Sequence, residues 1–361
     1  QFYFGLPVAM LVLCATLVPL LHRAKVFTAY EFLERRFDAR TRALTAGLFL
    51  LSRGLSVGVV VSAPAVILAA VLGLELPVAV AVLGLPTVLY TMVGGVQAVT
   101  WVDVRQMAVI VGGLVALLVA LVVGLPDPVA VGDALRVAGA AGRLRAFDFS
   151  FDLEQTYTFW SGLVGGAFLM LSYFGTDQSQ VQRYLTARSV DEARGSLLLS
   201  AYWKIPLQAL VLLVGVFVFV HYVFARPPVL FNPAQAAAVR AAAPAEYAAL
   251  ERRFAEAFER RRAAAEAVVA GEGAAPAERA RRAAALRARD RELEAVRAEA
   301  FALAARVAGE GGRDVNYIVP WYVLHELPLG LPGLFVAAVL AAAMSTIAAE
   351  LNSLSTATVI D

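Results

Sequence analysis

"GLPGLFVAAVLAAAMSTIAAELNSLSTATVID", residues 330–361, begins as an apolar helix and ends full of oxygens: Ser345, Thr346, Glu350, Asn352, Ser353, Ser355, Thr356 and Thr358. Counted from Leu331, Ser345 and Thr346 sit about 14 residues in, near the middle of a bilayer span of about 20 residues. At 100° per residue Ala342, Ser345, Ala349, Asn352 and Thr356 share a face, with Thr346, Glu350 and Ser353 on the next strip. Two explanations compete. Ser and Thr can bond back to their own i−4 carbonyls and serve packing alone. Alternatively, hydroxyls and carbonyls are the hard oxygen donors that an alkali cation needs once it sheds water. Two adjacent hydroxyls at mid-depth, with Glu350 and Asn352 nearby, favour the cation.

The rest of the chain supports a membrane reading. Of 361 residues, 60% are hydrophobic, and the mean hydropathy is +0.70. Apolar runs at 5–21, 43–72, 76–101, 106–126, 157–175, 196–225 and 331–349 give about seven transmembrane helices. The first run has no basic leader and no small-residue cleavage site, so it is not a signal peptide. Starting at Gln1 without Met, the chain reads as an internal piece of a longer protein. A net charge of +2 is too small to suggest nucleic acid as a partner. The single Cys14 and the scattered His22, His221 and His325 offer no disulfide framework and no metal-ligand spacing. Arg and Lys crowd 22–42 and are missing from 73–77, which places 22–42 and the segment after Arg183 in the cytoplasm and 126–156 and 226–314 outside. Arg136, Arg143 and Arg145 run against that bias.

Residues 234–310 are rich in Ala, Arg and Glu. Tyr247, Leu250, Phe254 and Phe258 recur at helical spacing, "GEGAAP" at 271–276 breaks the chain, and Leu286, Leu293, Val296, Phe301 and Leu303 form a second stripe. Pro276 suits a first helical turn. The pattern predicts an inserted antiparallel helical hairpin, as a solvated spacer or a partner-docking element. In "YTFWSGLVGGAFLMLSYFGTDQ", 157–178, Gly162, Gly165 and Gly166 signal either close helix packing or an unwound segment exposing carbonyls to a ligand. Lys204 lies about two turns into the sixth span and either snorkels or binds a ligand. Asp103 is expected to open the fourth span at its positive end, with an ion-path role as the alternative. Asp177 and Arg183 are expected either to form a cytoplasmic gate pair or to anchor at the interface.

"YEFLERRF" (30–37), "LYTMVGGVQAVTWVDVRQ" (89–106), "GTDQSQVQRYLTA" (175–187) and "GLPGLFVAAVLAAAMSTIAAELNS" (330–353) together resemble the sodium/solute symporter family. The resemblance implies an all-α integral membrane fold, a partial LeuT-type inverted-repeat bundle. Residues 1–226 would be the second to seventh core helices, 227–314 the extracytoplasmic insertion, and 315–361 the eighth core helix. It implies sodium-coupled symport of a small organic solute across the inner cell membrane, with no enzymatic step. Sodium would bind the Ala342 carbonyl and the Ser345 and Thr346 hydroxyls. Asp103 would lie on the ion path, Lys204 would contact solute, and Tyr173 would gate it from below. Met170 stands where some members carry a polar contact, which leaves a carboxylate or another solute open, and Gly165 and Gly166 complete the solute site. Members with a second sodium carry hydroxyls where this chain has Ala348 and Ala349, so one sodium per cycle is expected, with Glu350 hydrated near the inner face. A transporter-like sensor domain is the competing class. An intramembrane hydrolase is disfavoured because no His or Lys neighbours Ser345 in the sequence.

Overall fold

Polar residues set where many of the helices start. The computed structural model describes residues 2–145, 147–152, 154–309 and 314–361, and the regular structure among them is helical. The first apolar run folds as α1 (Gly5–Ala15) and α2 (Leu17–Ala24), stepped at Thr16, whose hydroxyl donates to Val12 O at 2.6 Å. Next come α3 (Ala29–Arg36), capped by Thr28, and α4 (Ala39–Leu72), capped by Asp38, which accepts from Thr41 N at 2.8 Å. Such caps satisfy backbone donors that have no partner inside the helix. α5 spans Leu76–Val123, α6 Val131–Ala140, α7 Phe159–Thr176 and α8 Gln178–Leu185. α9 (Val190–Phe224) leads to α10 (Pro233–Ala242), α11 (Pro244–Val269) and α12 (Pro276–Ala308), each of these three opening on proline. α13 (Val315–His325) and α14 (Leu331–Ile360) close the chain.

Six helical stretches are long and apolar enough to cross a membrane by length and composition. The third and fourth expected spans share α5, whose 48 residues would reach about 70 Å if straight, twice a bilayer core. They are separated at Gly95, where φ 54° and ψ −150° leave the helical region. Only glycine holds that backbone geometry readily. The junction therefore falls at Gly95 and not at 101–106, because "VGGV" lies inside an unbroken apolar run and its break leaves no polar mark in the sequence.

The chain divides into two compact units: Gln1–Gly113 with Phe147–Leu210 and Gly333–Asp361, and Leu114–Ala146 with Val211–Pro332. In the first, Leu6, Met10, Val18 and Leu21 of α1 and α2 pack with Phe174, Val181, Tyr184 and Leu197. A second cluster joins Ala65 and Leu68 of α4, Ala79 and Leu83 of α5, and Ala343 and Ile347 of α14. Small residues at these contacts let helices approach closely, the usual means of helix association in lipid. On α4, Leu48, Leu51, Leu55 and Val59 stay exposed at helical spacing, a stripe suited to lipid.

In the second unit α11 and α12 form the expected hairpin. Arg253 pairs with Glu299 at 2.5 Å and Arg260 with Glu292 at 2.7 Å; positions rise along one helix as they fall along the other, so the two run antiparallel. These exposed pairs contribute at most about 1 kcal/mol each. The buried stripe of Tyr247, Leu250, Phe254, Phe258, Leu293 and Val296 dominates, at about 1.5–3 kcal/mol per fully buried large side chain. The end of the insertion, 310–313, lies outside the described residues.

Candidate functional site

Most hydroxyls of α14 bond to their own helix. Ser353 donates to Glu350 O at 2.8 Å, Thr356 to Asn352 O at 2.9 Å and Thr358 to Leu354 O at 2.8 Å. Ser345 differs: its Oγ leaves the helix and donates to Asp103 Oδ1 at 2.6 Å. Thr346 Oγ1 donates to Ala342 O at 3.1 Å, which sets a hydroxyl and a carbonyl oxygen side by side. Ala342 and Thr346 are exposed and Ser345 is half-buried, so this cluster is open, while Ala348 and Ala349 behind it are buried. Tyr90 OH donates to Met344 O at 3.2 Å and ties the first part of α5 to the same turn. The result is a carbonyl, two hydroxyls and a carboxylate gathered around one helical turn. Oxygen-only sets of this kind replace the water of hard cations.

Asp103 does not open a helix. The break at Gly95 places it about two turns inside the second part of α5, where its side chain is 20% exposed and its other oxygen lies 3.5 Å from Arg183. Arg183 is thus paired with Asp103 and Asp177 with Arg53, so of the two readings of Asp177 and Arg183 the mutual gate pair does not form.

The predicted solute residues divide. α7 is continuous from Phe159 to Thr176, so the unwound segment expected near Gly165 is not there. Close packing accounts for Gly166: α1 lies so near that a Cβ on Gly5 would overlap the backbone of Gly166 and Ala167. Gly165 is exposed on another face. Met170 is partly buried against the α1–α7 core cluster. Tyr173 accepts a hydrogen bond from Gln180 Nε2 at 2.8 Å, and its ring stands edge-on to Phe174. Lys204 Nζ lies 5.6 Å from the ring centroids of both Tyr3 and Phe174. Near two aromatic rings, the ammonium is placed for cation–π stabilisation. Tyr173 and Lys204 thus meet at Phe174, and Met170 packs against the core cluster that includes it.

Sequence reasoning missed Arg53. It is the single charged residue in the apolar run 43–72, a signal that by itself marks a functional position. Its guanidinium pairs with Asp177, with Nε at 2.7 Å from Oδ2, and reaches Glu350 Oε1 at 3.3 Å. It also lies 5.4 Å from the Tyr173 ring centroid. Glu350 is 5% exposed, and its Oε2 has no hydrogen-bond partner. It is therefore not the hydrated surface carboxylate expected; Arg53 holds it among α4, α7 and α14.

Membrane-length helices carrying an open cluster of oxygen atoms define the class: a multi-pass helical membrane protein. The chain belongs to the sodium:solute symporter family, whose family model matches residues 1–251. It is 33% identical over 215 residues to the human sodium/iodide cotransporter, covering 59% of this chain and 33% of that protein. The Xenopus laevis sodium-coupled monocarboxylate transporter 1 is 30% identical over 54% of this chain and 31% of its own length. The chain spans about a third of the length of these curated relatives. A sodium-coupled sialic acid symporter, solved in a substrate-bound outward-open state, superposes with a TM-score of 0.67 at 20% identity, over 99% of this chain and 58% of that one. The fold is accordingly part of a LeuT-type bundle.

Proposed function

We propose that this chain forms the sodium site and part of the solute path of a symporter that moves a small organic solute across the inner cell membrane. The observation that carries this reading is the Ser345–Asp103 hydrogen bond, which brings the hydroxyl motif of α14 to a carboxylate on another helix. Ala342 O, Ser345 Oγ and Thr346 Oγ1 serve as sodium ligands. Asp103 supplies negative charge on the ion path, and its pairing with Arg183 keeps that charge from acting as a strong site of its own. Met170, Tyr173 and Lys204 face the solute, while Gly166 keeps a packing role. Residues 1–226 and 315–361 form the membrane part, and 227–314 the outer insertion. Sodium-dependent uptake by the full-length protein against a panel of organic solutes tests the reading; uptake indifferent to sodium for every transported solute would overturn it.

Two further outcomes are expected. Lys204→Ala should raise the apparent KM for solute while leaving the protein's abundance unchanged, because removing a desolvated cation from the solute path weakens binding more than folding. Unchanged kinetics would make Lys204 a packing residue held by Tyr3 and Phe174. Replacing 236–310 with a short flexible linker should preserve sodium-driven uptake, since the hairpin has its own core. Normal membrane insertion with complete loss of uptake would contradict the spacer reading.

A further inference from the structure

The second unit holds a half-open pocket of about 790 Å³ that the transport reading leaves unused. This volume lies within the ordinary range for small-molecule sites. Its walls are the part of α9 after Val211, facing positions of α11 and α12, and the start of α13. Phe219, Phe231 and Phe301 supply aromatic lining, and arginines stack on them. Arg143 Cζ is 4.7 Å from the Phe219 centroid; Arg297 Cζ is 5.1 Å from Phe231 and 5.4 Å from Phe301. Arg261, only 5% exposed, is the third arginine of the lining.

The charges around the cavity are unevenly paired. Arg297 has its own acid, Asp314, at 2.9 Å, and donates to Val229 O at 3.2 Å. Glu294, exposed, also leans toward Arg297 at 4.0 Å. Arg261 and Arg143, by contrast, share a single carboxylate, Asp290, at 3.3 and 3.5 Å. Both contacts are long, so neither guanidinium is closely held by Asp290. Arg261 also donates to Tyr222 O, yet its Nε has no hydrogen-bond partner, and neither has the buried Tyr222 hydroxyl. Buried donors without acceptors are costly, and burial lowers the Arg261 pKa from its ordinary value. The oxygens of an anion would supply the acceptor that Arg261 Nε lacks. Gly215 also lines the pocket, and a Cβ there would meet no atom within 4 Å.

The geometry points to a binding site for an amphiphilic organic anion, with its carboxylate or phosphate head at Arg143 and Arg261 and its apolar body along Phe219 and Gly215. Arginine forks suit such heads, and aromatic walls suit the body. A soluble fatty or aromatic acid and an anionic phospholipid share this chemistry. The test uses the intact protein in phosphatidylcholine nanodiscs with radiolabelled octanoate, and octanol as the uncharged competitor. A parallel arm uses nanodiscs containing phosphatidylglycerol, with retained lipid identified by mass spectrometry. Saturable octanoate binding is expected, with octanol at least about tenfold weaker. Arg143→Gln should weaken binding by at least about tenfold, and Gly215→Leu, which fills the open space, should abolish it. Arg143 is half-exposed, so its replacement does not threaten the fold as loss of Arg261 would. Phosphatidylglycerol retained by the parent protein and lost in both variants would support the site and identify the bilayer as its source. The proposal is overturned if neither octanoate nor phosphatidylglycerol is bound, if octanol binds as well as octanoate, or if both variants bind like the parent.

Discussion

Alanine at position 345 is expected to raise the sodium concentration that half-saturates uptake by about tenfold to a hundredfold. The Ser345 hydroxyl spends its proton on Asp103 at 2.6 Å. Its lone pairs remain free to accept a cation, on the same helical turn as Ala342 O and Thr346 Oγ1. A contact between a polar atom and a charge is worth about 1.5–3 kcal/mol, and each 1.4 kcal/mol is about a tenfold change in affinity. Alanine fits helix α14 without strain, so abundance should hold while sodium dependence shifts. Thr346→Ala should shift it in the same direction, and Thr346→Ser, which keeps the oxygen, should restore it. Uptake at fixed solute and varied sodium makes the measurement. An unchanged half-saturation in Ser345→Ala would move the cation elsewhere.

Arg53→Ala is expected to be the most damaging single change in the membrane part. It removes the cation that Asp177 and Glu350 share and leaves two poorly solvated carboxylates facing each other. Breaking a buried pair in this way costs about 3–5 kcal/mol, mostly from the charge left behind. Loss of folded protein or of uptake should follow. Adding Glu350→Gln to Arg53→Ala should recover part of the loss, because an amide needs no counter-charge. Glu350→Gln alone should be mild, since Arg53 keeps its closer partner Asp177. If Arg53→Ala transports normally, the cluster contributes neither to stability nor to coupling.

The sequence showed which segments are long and apolar enough to cross a membrane but not which charges meet. Long apolar runs and the Tyr247–Phe258 stripe depend on local periodicity, so the spans and the hairpin could be read directly. Pairing depends on helix register across distant segments. That is why Arg183 reaches Asp103 rather than the nearer-numbered Asp177, and why Arg53 joins Asp177 to Glu350. Arg53 itself was visible, as a lone charge in 43–72, but its partners were not. Gly95 shows the opposite difficulty: its backbone break sits among residues that all favour continuing the helix. The glycines of α7 allowed both packing and unwinding, and only the close approach of Gly5 to Gly166 decided between them.

The most direct test of the sodium site is equilibrium binding of radioactive sodium to the purified full-length protein, counted per molecule. One saturable ion is expected, because Ala348 and Ala349 offer no side-chain oxygen for a second and Asp103 is already engaged by Ser345 and Arg183. That ion should disappear in a Ser345→Ala, Thr346→Ala double variant and survive in Glu350→Gln. Two bound ions, or one that persists in the double variant, would contradict the account.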